Sequence, residues 1–144
     1  MHYKTFLLLV LLAVAAANEA TPSTEYPTEE GVMILNATTF GSAVKEFELL
    51  LVDFYSPDCK TCKDLEPEYV KVAATLKQEN SPIRVAKIDA SIAPEVIERL
   101  EIEGYPTIKL FFKTYHMDYE GKIREPAILA WIKHKMQITV SEVS

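Results

Sequence analysis

Cys59 and Cys62 are the only cysteines in this 144-residue chain, and two residues separate them. A pair at that spacing can close a structural bridge, supply half of a zinc site, or cycle between dithiol and disulfide. A bridge stabilises mainly by closing a long loop in the unfolded chain, and this loop is almost none. A structural zinc site needs four ligands at recognisable spacings, and Cys59, Cys62, His116 and His134 do not form such a set. Reversible redox chemistry is the reading that remains. Its attacking sulfur must be exposed and must ionise below the free thiol value of about 8.5. A helix N-terminus favours that thiolate through its unpaired N–H groups and its dipole.

The surrounding sequence supplies such a helix. Residues 49–55 read LLLVDFY, a near-continuous apolar run suited to a central strand covered on both faces. Ser56-Pro57-Asp58 then turns the chain, and apolar residues Leu65, Tyr69, Val72, Ala73 and Leu76 recur at helical steps, predicting a helix over 59–78 that contains Pro67. Both sulfurs then fall in its first turn, with Cys59 as nucleophile and Cys62, one turn deeper, as the resolving thiol. Asp53 is the one charge inside the strand. An exposed edge position would make it ordinary. Burial would instead raise its pKa and let it exchange protons with Cys62 through water.

The remaining elements follow in order. Strands are expected over 32–35, 83–89, 108–112 and 117–119, the last as an antiparallel return. Asn36 is expected to end the first strand, and helices are expected over 40–47, with Thr38 or Thr39 as the cap, over 94–100, and over 125–136. This β-α-β-α-β-α-β-β-α order predicts an α/β fold with a central mixed β-sheet flanked by helices on both faces, in one domain over 32–137 with a short tail at 138–144.

Composition narrows the partners. The chain is 49% hydrophobic and 25% charged, as globular proteins are, and its net charge of −6 comes with no basic stripe, which excludes nucleic acid as an expected partner. His2 and Lys4 precede an apolar run over 6–17 that ends in three alanines. These are the parts of a secretory signal peptide at 1–17, with cleavage expected after Ala17 and Ala20 as second choice. The run is shorter than the ~20 residues a membrane span needs. A flexible acidic leader is expected over 18–31. Asn36-Ala37-Thr38 is a candidate glycosylation sequon. The final residues 141–144 carry no KDEL-type signal, so the endoplasmic reticulum lumen is inferred from the other features and secretion stays open.

With Cys59-Lys60-Thr61-Cys62 at a strand-to-helix junction, the chain resembles the thioredoxin superfamily and, within it, the protein disulfide isomerase-like domains. Further residues carry the resemblance: Asp53 six before the first cysteine, Pro67 eight after it, Lys87 in AKID, and Tyr105-Pro106-Thr107. The phrases VDFYSP and GYPTIKLFF resemble the secretory isomerases most. The resemblance implies the thioredoxin fold and a thiol–disulfide oxidoreductase that forms, reduces or rearranges disulfides with no cofactor and no metal. It implies a redox-active Cys59–Cys62 disulfide, Lys87 as partner of Asp53, and a cis-Pro106 beside the site. Tyr105 and Tyr55 are candidates for an apolar client surface. Arg124 is the candidate for the family's mobile arginine, displaced by about one residue. The expected partners are unfolded or disulfide-containing clients and other redox proteins, met by a monomer; a non-catalytic binding module on the same fold is the alternative.

Secretory isomerases usually carry Trp-Cys-Gly-His-Cys where this chain has Asp58-Cys59-Lys60-Thr61-Cys62. The histidine's positive charge is missing, Lys60 replaces it in part, and Asp58 opposes a second negative charge. Asp58, Lys60 and Thr61 are therefore the residues expected to tune the pair, toward a less oxidising site.

Overall fold

The computed structural model describes residues 25–113 and 115–142. Six strands form one mixed sheet: β1 (Thr28–Glu29), β2 (Val32–Leu35), β3 (Leu49–Tyr55), β4 (Arg84–Asp89), β5 (Thr107–Phe112) and β6 (Tyr115–Asp118), in the spatial order β1-β2-β4-β3-β5-β6. β2, β4 and β3 run parallel, while β1, β5 and β6 pair antiparallel with their neighbours. Four helices flank the sheet: α1 (Ala37–Glu46), α2 (Lys60–Gln78), α3 (Pro94–Arg99) and α4 (Glu125–Glu142).

Side chains alternate along a strand, and here both sets are buried. Leu50, Val52 and Phe54 of β3 face α1 and α3, packing with Phe40, Ala43, Val96 and Phe111. Leu51 faces α2 and α4, joining Leu65, Tyr69, Val72, Ile128 and Ile132. That is why β3 reads as continuously apolar. The same alternation sends Asp53 toward α2, the helix that carries the cysteines. The buried Tyr69 of α2 donates its hydroxyl to the Ala86 carbonyl at 2.7 Å and the Leu51 carbonyl at 3.2 Å, fixing α2 over the β3–β4 seam. Glu68 of α2 in turn accepts from the Glu125 N–H, holding the start of α4 against it.

Three boundaries differ from the sequence expectation. Residues expected in a loose leader belong to the fold: Tyr26 is buried, and Thr28–Glu29 pairs with β2 through a two-residue turn in which Glu30 and Gly31 take φ of 49° and 81°. The last strand begins at Tyr115, opposite Phe112, and Lys113, just past the end of β5, has φ 49°. Tight hairpin turns want positive φ, which Asn-Gly or Asp-Gly usually signals, and neither turn carries that signature. Helix α4 continues to Glu142 because no glycine or proline follows Met136 to stop it. At α1 the cap is Asn36 itself: its side chain accepts from the Thr38 and Thr39 N–H groups, and Thr39 Oγ1 accepts from the Asn36 N–H. The expected signal peptide lies outside the described residues.

Candidate active site

Cys59 is the N-cap of α2, and its sulfur accepts from the Cys62 N–H at 3.1 Å. The sulfur thus takes one of the donors a helix start leaves unpaired. Cys59 and Cys62 are joined in a disulfide with Cα atoms 5.2 Å apart. Cys62 is buried and Cys59 partly open, the asymmetry that suits a nucleophile and a resolving thiol.

Of the three residues expected to tune the pair, only Thr61 touches the nucleophile, with Oγ1 3.7 Å from Cys59 Sγ. Lys60 does not stand in for a histidine cation at the sulfur; it pairs with Asp64 one turn on, at 3.5 Å, because i,i+4 spacing places the two together. Asp58 is exposed in the preceding turn.

Below Cys62 lies a cleft of about 170 Å³ that Asp53, Cys62, Glu66, Lys87, Tyr55 and Lys63 help to line. Asp53 is only 4% exposed, and its Oδ1 has no hydrogen-bond partner among the described residues. Burial, against the pull of Lys87 and with a smaller push from Glu66, raises its pKa to about 7. A carboxyl that titrates near neutrality beside a thiol is suited to take and return a proton.

Lys87 sits directly across from Asp53 in the β3–β4 register. The resemblance implied Lys87 as partner of Asp53, and its positive charge does pull the Asp53 pKa down against burial. The ammonium lies 3.7 Å from Glu66 and 3.8 Å from Glu29, and no Lys87–Asp53 ion pair is present among the described residues. It also faces the Tyr55 ring, 5.8 Å from its centroid. Two carboxylates and a ring compete for the one cation, so Asp53 feels it only at longer range.

The Tyr105–Pro106 peptide bond is cis, just before β5, and both residues are partly buried. Arg124 is exposed at the start of α4, where its carbonyl accepts from the Ile128 N–H. No hydrogen bond or ion pair ties it to the cysteines among the described residues.

The Thioredoxin family profile matches residues 31–134. This chain belongs to the thioredoxin family. Among its relatives, protein disulfide-isomerase of Drosophila melanogaster is 37% identical over 130 residues, covering 90% of this chain and 26% of that protein. Protein disulfide-isomerase A4 of Bos taurus is 43% identical over 113 residues, 78% of this chain and 18% of that protein. The chain therefore spans about a quarter or less of these two relatives. One solved structure matches on its own scale: the first thioredoxin domain of mouse protein disulfide-isomerase A4, with a TM-score of 0.71 and 37% identity, covering 83% of this chain and 86% of that one.

Within the thioredoxin domain, sequence reasoning found the cysteines, Asp53 and Lys87 but passed over Glu66 and Glu29. Glu66 carried a usable signal, since it follows Cys62 by four residues and so shares its helix face. Glu29 carried none, because its strand was not expected. Among the described residues no cluster of three or more His, Cys, Asp or Glu is arranged to hold a metal, and no helix is long and apolar enough to cross a membrane.

Proposed function

We propose that this thioredoxin domain is a thiol–disulfide oxidoreductase of the protein disulfide isomerase kind, acting on disulfide-containing client proteins and on other redox proteins. In the reducing direction the Cys59 thiolate attacks one sulfur of a client disulfide. A Cys59–client bond forms, the client S–S bond breaks, and one client sulfur leaves as thiolate. Asp53 accepts the Cys62 proton through water in the cleft. The Cys62 thiolate then attacks Cys59, closing the internal disulfide and releasing the second client thiolate. The client gains two electrons and the cysteine pair loses two. Oxidation runs the same steps backward from the bonded pair, and rearrangement ends when a different client thiol resolves the mixed disulfide.

The observation that carries this reading is the bonded pair at the start of α2, with Cys62 and the buried Asp53 opening onto one cleft. Thr61 supports the tuning argument: a neutral hydroxyl favours the Cys59 thiolate less than an imidazolium would, so the pair is a weaker oxidant than its Gly-His counterpart. Cis-Pro106 and Tyr105 are the proposed client contacts. Action in the secretory pathway, with the endoplasmic reticulum lumen as the first location, belongs to the same reading and rests on the apolar run at 6–17 and the Asn36 sequon.

Two assays test it: dithiothreitol-driven reduction of insulin and reactivation of reduced ribonuclease. The wild type is expected to accelerate at least one of them, Cys59→Ser to give the uncatalysed rate, and Cys62→Ser to accumulate mixed disulfides. A folded wild type inert in both would instead make the domain a client-binding module.

A further inference from the structure

Asp53 and Lys87 are cross-strand neighbours on one face of the sheet. What separates them is a competitor on the helix above. Glu66 Oε1 lies 3.7 Å from Lys87 Nζ, and Glu66 and Lys87 line the same cleft as Asp53 and Cys62. Asp53, Glu66 and Lys87 also line a second, smaller cavity of about 30 Å³ on the Glu29 side. The glutamate is thus placed where it can hold the cation while leaving the carboxyl of Asp53 open to the cleft.

We propose that Glu66 is a positioning residue for the exchange reaction: it holds the Lys87 ammonium off Asp53 and so keeps that carboxyl free to trade a proton with Cys62. This rests on the oxidoreductase reading above. Other groups around Asp53 do not replace Glu66. On α2, Lys63 lines the cleft and Tyr69 gives its hydroxyl to backbone carbonyls. Tyr55, on the same strand, faces Lys87. Glu29 draws on the same ammonium from β1, but its side chain is 73% exposed. Glu30, in the turn after it, lines only the smaller cavity. From β5 the neighbour is Ile108, which carries no charge. Glu66 is itself 61% exposed, so its hold should weaken with salt.

The test is to titrate Asp53 by carboxyl carbon NMR in the oxidised protein, a readout that needs no turnover, and to compare it with the pH profile of mixed-disulfide release in the reduced protein. In Glu66→Gln the ammonium is released toward Asp53 and a negative neighbour is lost, and both push the same way. The Asp53 midpoint is expected to fall by about one pH unit or more at low salt, with the release profile following it and the shift shrinking near 1 M salt. Glu66→Asp, which keeps the charge, should hold most of the wild-type midpoint. In a Lys87→Met background, Glu66→Gln should move the midpoint by less than half as much. A folded Glu66→Gln protein with an unmoved Asp53 midpoint, or an equal shift with and without Lys87, overturns the proposal. A wild type inert in exchange would fell the functional reading, while the titration would still decide whether Glu66 holds the lysine.

Discussion

Two acid–lysine pairs face each other across neighbouring strands of this sheet, one on each side. On the α1 and α3 face, Lys109 of β5 stands opposite Asp118 of β6 and donates to it at 2.7 Å. On the α2 and α4 face, Asp53 of β3 stands opposite Lys87 of β4, and the two do not close. Asp53 and Lys109 are each 4% exposed, so burial does not distinguish them. The neighbours do. Among the described residues Lys109 pairs with Asp118 alone, whereas Lys87 is offered Glu29 and Glu66 and leaves Asp53 with an unpartnered oxygen. The closed pair neutralises its buried charge. The open one keeps a carboxyl that titrates near pH 7, and it lies beside the cysteines.

The strongest way to break this contrast is Asp53→Asn, which keeps the shape and removes the titration. If Asp53 moves the Cys62 proton, release of a mixed disulfide at pH 8 should slow by about a hundredfold, within the usual range for losing a general base. Stopped-flow thiol exchange reads this directly. Stability should move the other way. An ordinary aspartate ionises near 3.9 and Asp53 near 7, so between these values the folded chain holds a proton that the unfolded chain has released. The contribution of Asp53 to stability is therefore most favourable below about pH 4 and falls by as much as roughly 4 kcal/mol as pH rises through 7. Asp53→Asn lacks that slope. Urea unfolding should place it a few kcal/mol above wild type at pH 8 and within about 1 kcal/mol of it at pH 4. Parallel pH profiles for the two proteins would remove Asp53 from the reaction.

The closed pair should respond in the opposite sense. Asp118→Ala strands the Lys109 ammonium, whose side chain is 5% exposed, without its anion. Breaking a buried pair costs about 3–5 kcal/mol, and because Asp118 is half-exposed, water can reach the site and roughly 2 kcal/mol is the expected loss. His116, 3.8 Å from Asp118, offers no anion in exchange. The reduction potential of the cysteines should stay at its wild-type value. A shifted potential would mean the two faces are coupled, and the contrast would lose its meaning.

The sequence revealed the open pair and hid the closed one. Asp53 stood out because it interrupts a strand whose every other residue is apolar or aromatic. The helix, the cysteines at its first turn and the sheet around them followed from hydrophobic period and turn residues. Lys109 lies in IKLFF, where one lysine in an alternating strand reads as solvent-facing, and only β6 packing beside it shows where its charge goes. Lys87 was legible as a neighbour of Asp53 but not as a partner of Glu66, since side-chain choice among competing carboxylates depends on distances that no spacing rule supplies. The first hairpin escaped for a local reason: Glu30-Gly31 makes its turn at positive φ, and its two-residue strand is exposed.

The smallest expected effect is also the sharpest test of whether the closed pair serves only the fold. Lys109→Met removes the charge and keeps most of the apolar stem that the lysine buries. Its partner Asp118 is 51% exposed and can be solvated without it. Replacing a buried ion pair by an apolar group of similar volume is commonly neutral or stabilising. The variant should therefore lie within about 1 kcal/mol of wild type, with the same potential and the same exchange rate. Adding Asp118→Ala to it should then cost well under half of what that change costs alone, because no buried cation is left to strand. A Lys109→Met protein that folds normally but exchanges thiols more slowly would give the closed pair a share in the chemistry and end the division between the two faces.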